Sequence, residues 1–161
     1  MASNGDDPLL RIPHIINAEV FWRDNQKWLE QRGYMLRPRY RPEWIPSFTV
    51  DDDVYDYEDG AQIINPDVLD ATHIATNELV MLKRISQKTH PYEVEITSYF
   101  TKEPLRSDPQ NHCVPLLEVL EVPNDSTIKI IVLPLLRKYN DPRFKTVGEA
   151  LEFFRQAFEV W

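Results

Sequence analysis

The chain has 161 residues, 42% of them apolar, and its 26 acidic against 18 basic side chains give a formal charge of −8. That length allows one domain with a modest core, and the negative balance argues against general binding to nucleic-acid or anionic-membrane surfaces, which would repel it. The single cysteine, Cys113, excludes an intramolecular disulfide framework and fits a reducing compartment. The N-terminus lacks a basic start and a long apolar stretch, and the longest apolar run, "IIVLPLL" at 130–136, is too short to span a bilayer. A soluble intracellular protein, cytoplasmic or nuclear, with no membrane partner is the expectation.

Taken in order, residues 1–17 carry Pro8 and Pro13 and read as an arm. From about 18 to 32, Val20, Phe21, Trp28 and Leu29 recur at roughly helical spacing and Gly33 follows as a C-cap, so the pattern predicts an amphipathic helix. Pro38, Pro42 and Pro46 then predict an extended, polyproline-like path through 35–48. Within it, "RPRYRPEW" (37–44) interleaves arginines with aromatics. Stacking on single-stranded nucleic acid is one reading; the net charge favours the other, aromatics packed on the fold with the arginines in water. Residues 51–60 hold six carboxylates without the donor order of a calcium loop. They read as a solvated acidic loop within reach of Arg37, Arg39 and Arg41.

From Gln62 the texture becomes β-rich: "QIINPDVLDATHI", "ELVMLKRI", "CVPLLEVLEV" and "TIKIIVLPLL", separated by turn residues. A helix over 90–100 interrupts them. Thr146 and Glu149 form a T-x-x-E capping box, and Val147, Ala150, Leu151, Phe154, Ala157, Phe158 and Trp161 make one stripe of a terminal helix. The fold class is therefore α+β, an antiparallel sheet with one inserted helix. His112 and Cys113 lack the repeated ligand pair of a zinc site, and no serine or cysteine sits in a nucleophile setting.

Lys83 lies inside the apolar run "LVMLKRI" (79–85), so its ammonium either snorkels to water or meets a carboxylate. On a helical wheel Glu93 shares a face with Ile96, Thr97 and Phe100, which should face the core and carry Glu93 inward. Glu95 is the rival partner, about 200° away on the tyrosine side.

The order strand, strand with V-x-x-K, helix with glutamate, two strands, helix resembles the small lobe of a protein kinase. "VLDA" (68–71), "VMLK" (80–83), "EVEITSYF" (93–100), "NHCVPLLEVLEV" (111–122), "IIVLPLL" (130–136) and "TVGEALEFFRQAFEVW" (146–161) carry the resemblance. "RGYMLRPRYRP" and "DPRFKTVGEALEFFRQ" also resemble fungal, basidiomycete-type kinase-like proteins. The resemblance implies a five-stranded antiparallel small lobe over 61–145, preceded by an extension (1–60) and followed at 146–161 by the start of the first large-lobe helix. It implies that ATP is the cofactor, with Lys83 on the α- and β-phosphates, Glu93 holding the lysine, Val68 over the adenine, and the backbone of Pro134, Leu135 and Leu136 at its edge. The parent activity it implies is phosphoryl transfer to protein Ser/Thr hydroxyls.

The sequence departs from that pattern in stated places. Where the glycine-rich loop should carry glycines, Ala61, Ile63 and Pro66 stand, and Met81 replaces the small residue over the base. No H-R-D or D-F-G occurs, so catalytic and metal residues are absent from this sequence and Mg2+ is expected only with a large lobe. The expectation is a truncated kinase-like chain, inactive in transfer by itself and binding ATP weakly or not at all. The alternative is a pseudokinase-type module that binds protein partners. An uncovered Phe154/Phe158/Trp161 face predicts weak self-association through the terminal helix.

Overall fold

The computed structural model describes residues 19–49, 51–53, 56–60, 63, 65–123, 125–136, 138–139 and 141–159. The predicted arm at 1–17, Ala61 and Trp161 lie outside the described residues. In chain order the elements are helix α1 (Val20–Gln31), strands β1 (Tyr34–Met35), β2 (Val68–His73) and β3 (Glu78–Ser86), helix α2 (Glu93–Phe100), strands β4 (Glu118–Glu121) and β5 (Ile128–Pro134), and helix α3 (Val147–Glu159). The class is α+β, with a five-stranded antiparallel sheet in the order β1-β2-β3-β5-β4. Two compact units divide the chain between Lys83 and Arg84, within β3.

In the first unit, α1 buries Trp22, Gln26 and Leu29; of the expected stripe Leu29 is buried, while Val20, Phe21 and Trp28 are only half-buried. The Trp22 indole N–H donates to the Pro66 carbonyl at 2.9 Å, tying the helix to the turn before β2. At the helix end, the amides of Arg32 and Gly33 donate to the carbonyls of Trp28 and Glu30. Gly33 sits at φ +93°, the left-handed position that glycine occupies without steric cost. Its carbonyl then accepts from Ile74, and β1 pairs with the far end of β2 at Thr72 and His73.

Between β1 and β2 the polyproline expectation fails at Pro38–Tyr40, which form a short 3-10 turn. Proline is tolerated there because it holds the first position, where an amide donor would have no partner inside the turn. The β2–β3 hairpin follows. Leu69 opposes Leu82 and Ala71 opposes Val80, and all four are buried. Strand alternation makes this one face of the hairpin.

In the second unit β4 and β5 pair from Glu118 opposite Val132 to Glu121 opposite Lys129. Ile130, Ile131 and Val132 are buried in succession, the signature of a strand covered on both faces. The turn is held by Asp125, whose carboxylate accepts from the Thr127 amide and hydroxyl at 2.9 and 2.7 Å. Helix α2 starts at Glu93 after a turn over His90–Tyr92, not at 90, and buries no residue fully. Ile96, expected in the core, is 54% exposed. Apolar residues on several sides of an eight-residue helix leave its wheel without a single preferred face.

Helix α3 has its capping box: the Glu149 amide donates to the Thr146 hydroxyl at 3.2 Å. The Glu149 carboxylate accepts from the Lys145 amide at 2.7 Å, one residue before the usual position. Phe153 packs against Tyr139 and Phe144 at 5.2 and 5.5 Å. Val147, Leu151, Phe154 and Phe158 form an exposed face of this helix.

Candidate functional site

The other face of the β2–β3 hairpin carries the residues singled out for nucleotide contact in this unit. Val68 opposes Lys83 and Asp70 opposes Met81; directly opposed residues project to the same side. All four are half-buried, so this side is neither core nor free surface. Asp70, two residues along β2 from Val68, lies diagonally across from Lys83.

Onto the same face the N-terminal stretch brings Arg37. Its guanidinium donates to both Asp70 oxygens, Nη2 to Oδ1 at 2.6 Å and Nε to Oδ2 at 3.0 Å, with each side chain about a quarter exposed. A planar fork matched to a carboxylate in this way is stronger and more directional than a single-point ion pair. The face therefore holds two cations, Arg37 and Lys83, one carboxylate, and the apolar Val68 and Met81. Such a set can take a ligand with an apolar planar part and an anionic part.

The remaining expected contacts belong to the second unit. Glu93 is the first residue of α2 and is half-buried, while its rival Glu95 is exposed. Pro134 ends β5 and is half-buried like Leu135, whereas Leu136 is 63% exposed. Among the described residues no group of three or more His, Cys, Asp or Glu side chains could hold a metal ion, and His112 and Cys113 are exposed.

Among the described residues no glycine-rich hairpin crosses the Val68 end of β2. The connection from β1 runs from 36 to 67, and β1 reaches only Thr72 and His73. No protein-family model, curated protein or solved structure matches this chain. The site rests on its own geometry.

Sequence reasoning missed a second cluster, and here two expectations are overturned. Two of the three arginines of 37–44 are not left in water: Arg37 is bound to Asp70 and Arg39 is 1% exposed, while Arg41 is exposed as expected. Arg39 donates through Nη2 to Glu19 Oε2 and through Nη1 to the Asp59 carbonyl, both at 3.1 Å. The Tyr40 hydroxyl donates to the other Glu19 oxygen at 3.0 Å. Burial, reinforced by that carboxylate, pushes the Tyr40 phenol above its ordinary range and keeps it a donor. The guanidinium also lies 5.6 Å from the Trp44 ring centre.

Nor is the acidic loop solvated throughout. Asp59 is buried and accepts from the Trp44 indole at 3.0 Å and from the Ser47 amide and hydroxyl at 2.9 and 2.5 Å. Burial alone would raise its pKa; the donors from Ser47 and Trp44 outweigh burial and hold the carboxyl below its usual range. Of the three arginines expected against this loop, Arg39 meets a backbone oxygen of it, Arg37 turns to Asp70, and Arg41 lies 3.3 Å from the Met35 sulfur.

Proposed function

We propose that this chain is a nucleotide-binding small lobe of the protein-kinase type. In this reading Lys83 is the phosphate-binding cation, Glu93 its counter-charge, Val68 the residue over the base, and Pro134 to Leu136 the segment at its edge. ATP is the ligand, and transfer to protein Ser/Thr hydroxyls would need H-R-D and D-F-G residues and Mg2+, which this sequence does not supply. The observation that carries the reading is the pairing of Val68 with Lys83 on the half-buried face of β2 and β3, with a helix that opens on glutamate next in the chain. Four antiparallel strands from Val68 to Pro134, with a helix between β3 and β4 and another after β5, support it; the fifth strand, Tyr34–Met35, comes from the stretch expected to be an extension and not from 61–145.

The test is thermal unfolding with ATP, comparing the wild type with Lys83→Met. At ATP a hundredfold above its dissociation constant, binding adds about 2.7 kcal/mol of stability, and Lys83→Met is expected to remove most of the resulting rise in Tm. Equal stabilisation of both proteins, or of neither, would overturn the assignment of Lys83.

A second reading, a non-catalytic interaction module, is favoured by the absence of a glycine-rich turn beside Val68 and by Met81. Its candidate surface is the exposed α3 face. Val147, Leu151, Phe154 and Phe158 are spaced four, three and four residues apart, the spacing of a helix–helix seam. Weak self-association through this face is expected, shown by a sedimentation coefficient that rises with concentration. A Leu151→Glu/Phe154→Glu double variant should stay monomeric; a wild type that is strictly monomeric at high concentration removes the surface from consideration.

A further inference from the structure

A cleft of about 480 Å³ in the first unit is lined by Arg23, Lys27, Arg39, Arg41 and Trp44, with Asp24 and Glu43 at its acidic positions. With Arg23 paired to Asp24 and Arg39 to the buried Glu19, the cleft is left with Lys27 and Arg41 against Glu43, a local positive excess in a chain whose net charge is −8. Arg23 and Lys27 stand four residues apart on α1, a spacing at which like charges repel, so the helix gains nothing from having both there.

Two of the cations are already engaged within the protein. Arg23 is held by Asp24 at 2.7 Å and Arg39 by Glu19 at 3.1 Å. The other two are not: among the described residues Lys27 makes no ion pair, and the polar contact of Arg41 is the Met35 sulfur. The Trp44 indole N–H donates to Asp59 at 3.0 Å and its ring lies 5.6 Å from the Arg39 guanidinium, contacts that restrict its rotamers before any ligand arrives.

We propose that this cleft binds a phosphate monoester. An ammonium from the helix and a guanidinium from the loop suit a dianion with three acceptor oxygens better than a single carboxylate. The volume accommodates one phosphoryl group with part of its carrier. A nucleic-acid strand fits less well, because its backbone would run on over an acidic chain, whereas one phosphoryl group meets only the local field. This site is separate from the β2–β3 face and does not depend on the nucleotide reading.

The experiment is calorimetric titration with phenyl phosphate, inorganic phosphate, a phosphotyrosine peptide with neutral flanks, and a single-stranded oligonucleotide. The variants are Lys27→Glu and, as a control of equal charge change in the second unit, Lys102→Glu. Both lysines are exposed, and far-UV circular dichroism verifies that the variants fold. Phenyl phosphate is expected to bind the wild type, with affinity reduced on the order of tenfold by Lys27→Glu and unchanged by Lys102→Glu. Tighter binding of the peptide than of phenyl phosphate assigns the monoester to a phosphorylated protein, and equal binding assigns it to a small molecule. Equal loss in both variants, no phosphomonoester binding to the wild type, or binding of the oligonucleotide alone overturns the proposal.

Discussion

Arg39→Met is expected to lower the free energy of unfolding by about 3–5 kcal/mol, read from the urea midpoint with the slope unchanged. The side chains of Arg39 and Glu19 are both fully inaccessible, so removing the cation leaves a carboxylate in a site without water. The Tyr40 hydroxyl still donates to Glu19, but a neutral donor does not replace the lost charge. The Asp59 carbonyl loses its guanidinium donor, and Trp44 loses the cation over its ring. A domain of this size has a net stability of about 5–15 kcal/mol, so the loss takes a large share of it.

The same physics makes a sharper expectation for the double variant Glu19→Gln/Arg39→Met. The desolvation cost of an isolated buried charge disappears when both charges go, and replacing a buried pair by neutral groups of similar volume is often near neutral. The double variant should therefore be more stable than Arg39→Met alone. A single-variant loss below about 1 kcal/mol, the range of exposed ion pairs, would mean that the pair is solvated and the cluster is not a core.

This cluster also marks where the sequence stops being readable. The strands from Val68 onward were legible because apolar residues alternate or run continuously between turn residues, and that pattern depends on the local chain alone. Gly33 and Thr146 were legible for the same reason: a C-cap and a capping box are short-range devices, and both occur where expected. The burial of Arg39 depends on Glu19, twenty residues before it, and on Asp59, twenty residues after it. Nothing in "RPRYRPEW" distinguishes that arginine from its neighbours at 37 and 41. Asp59 is hidden in the same way among five other carboxylates, because its donors, Trp44 and Ser47, come from a proline-containing loop whose path has no local code. For the candidate site, the pairing of Val68 with Lys83 follows from strand alternation. The arrival of Arg37 on Asp70 across 33 positions of chain does not.

The long-range ties make the N-terminal stretch part of the first unit's core, and Trp22→Ala measures how much. Trp22 is fully buried, and truncating a buried tryptophan costs about 3–5 kcal/mol through lost apolar contact and the cavity left behind. A further part of the loss comes from the indole bond to the Pro66 carbonyl at 2.9 Å. Trp22→Phe separates the two, since it keeps an apolar ring and removes the donor; the bond itself contributes about 0.5–1.5 kcal/mol. Pro66 lies two residues before Val68, in the turn where the Val68 amide donates to the Asn65 carbonyl at 3.2 Å. Losing the indole should therefore loosen the entry to β2 before it loosens the middle of the hairpin. The measurable consequence is faster amide exchange at Val68 in Trp22→Phe, with the Leu82 amide, in the middle of β3, protected as in the wild type. Uniform acceleration at both amides, or a stability loss below about 1 kcal/mol for Trp22→Ala, would mean that α1 rests on the hairpin without helping to hold it.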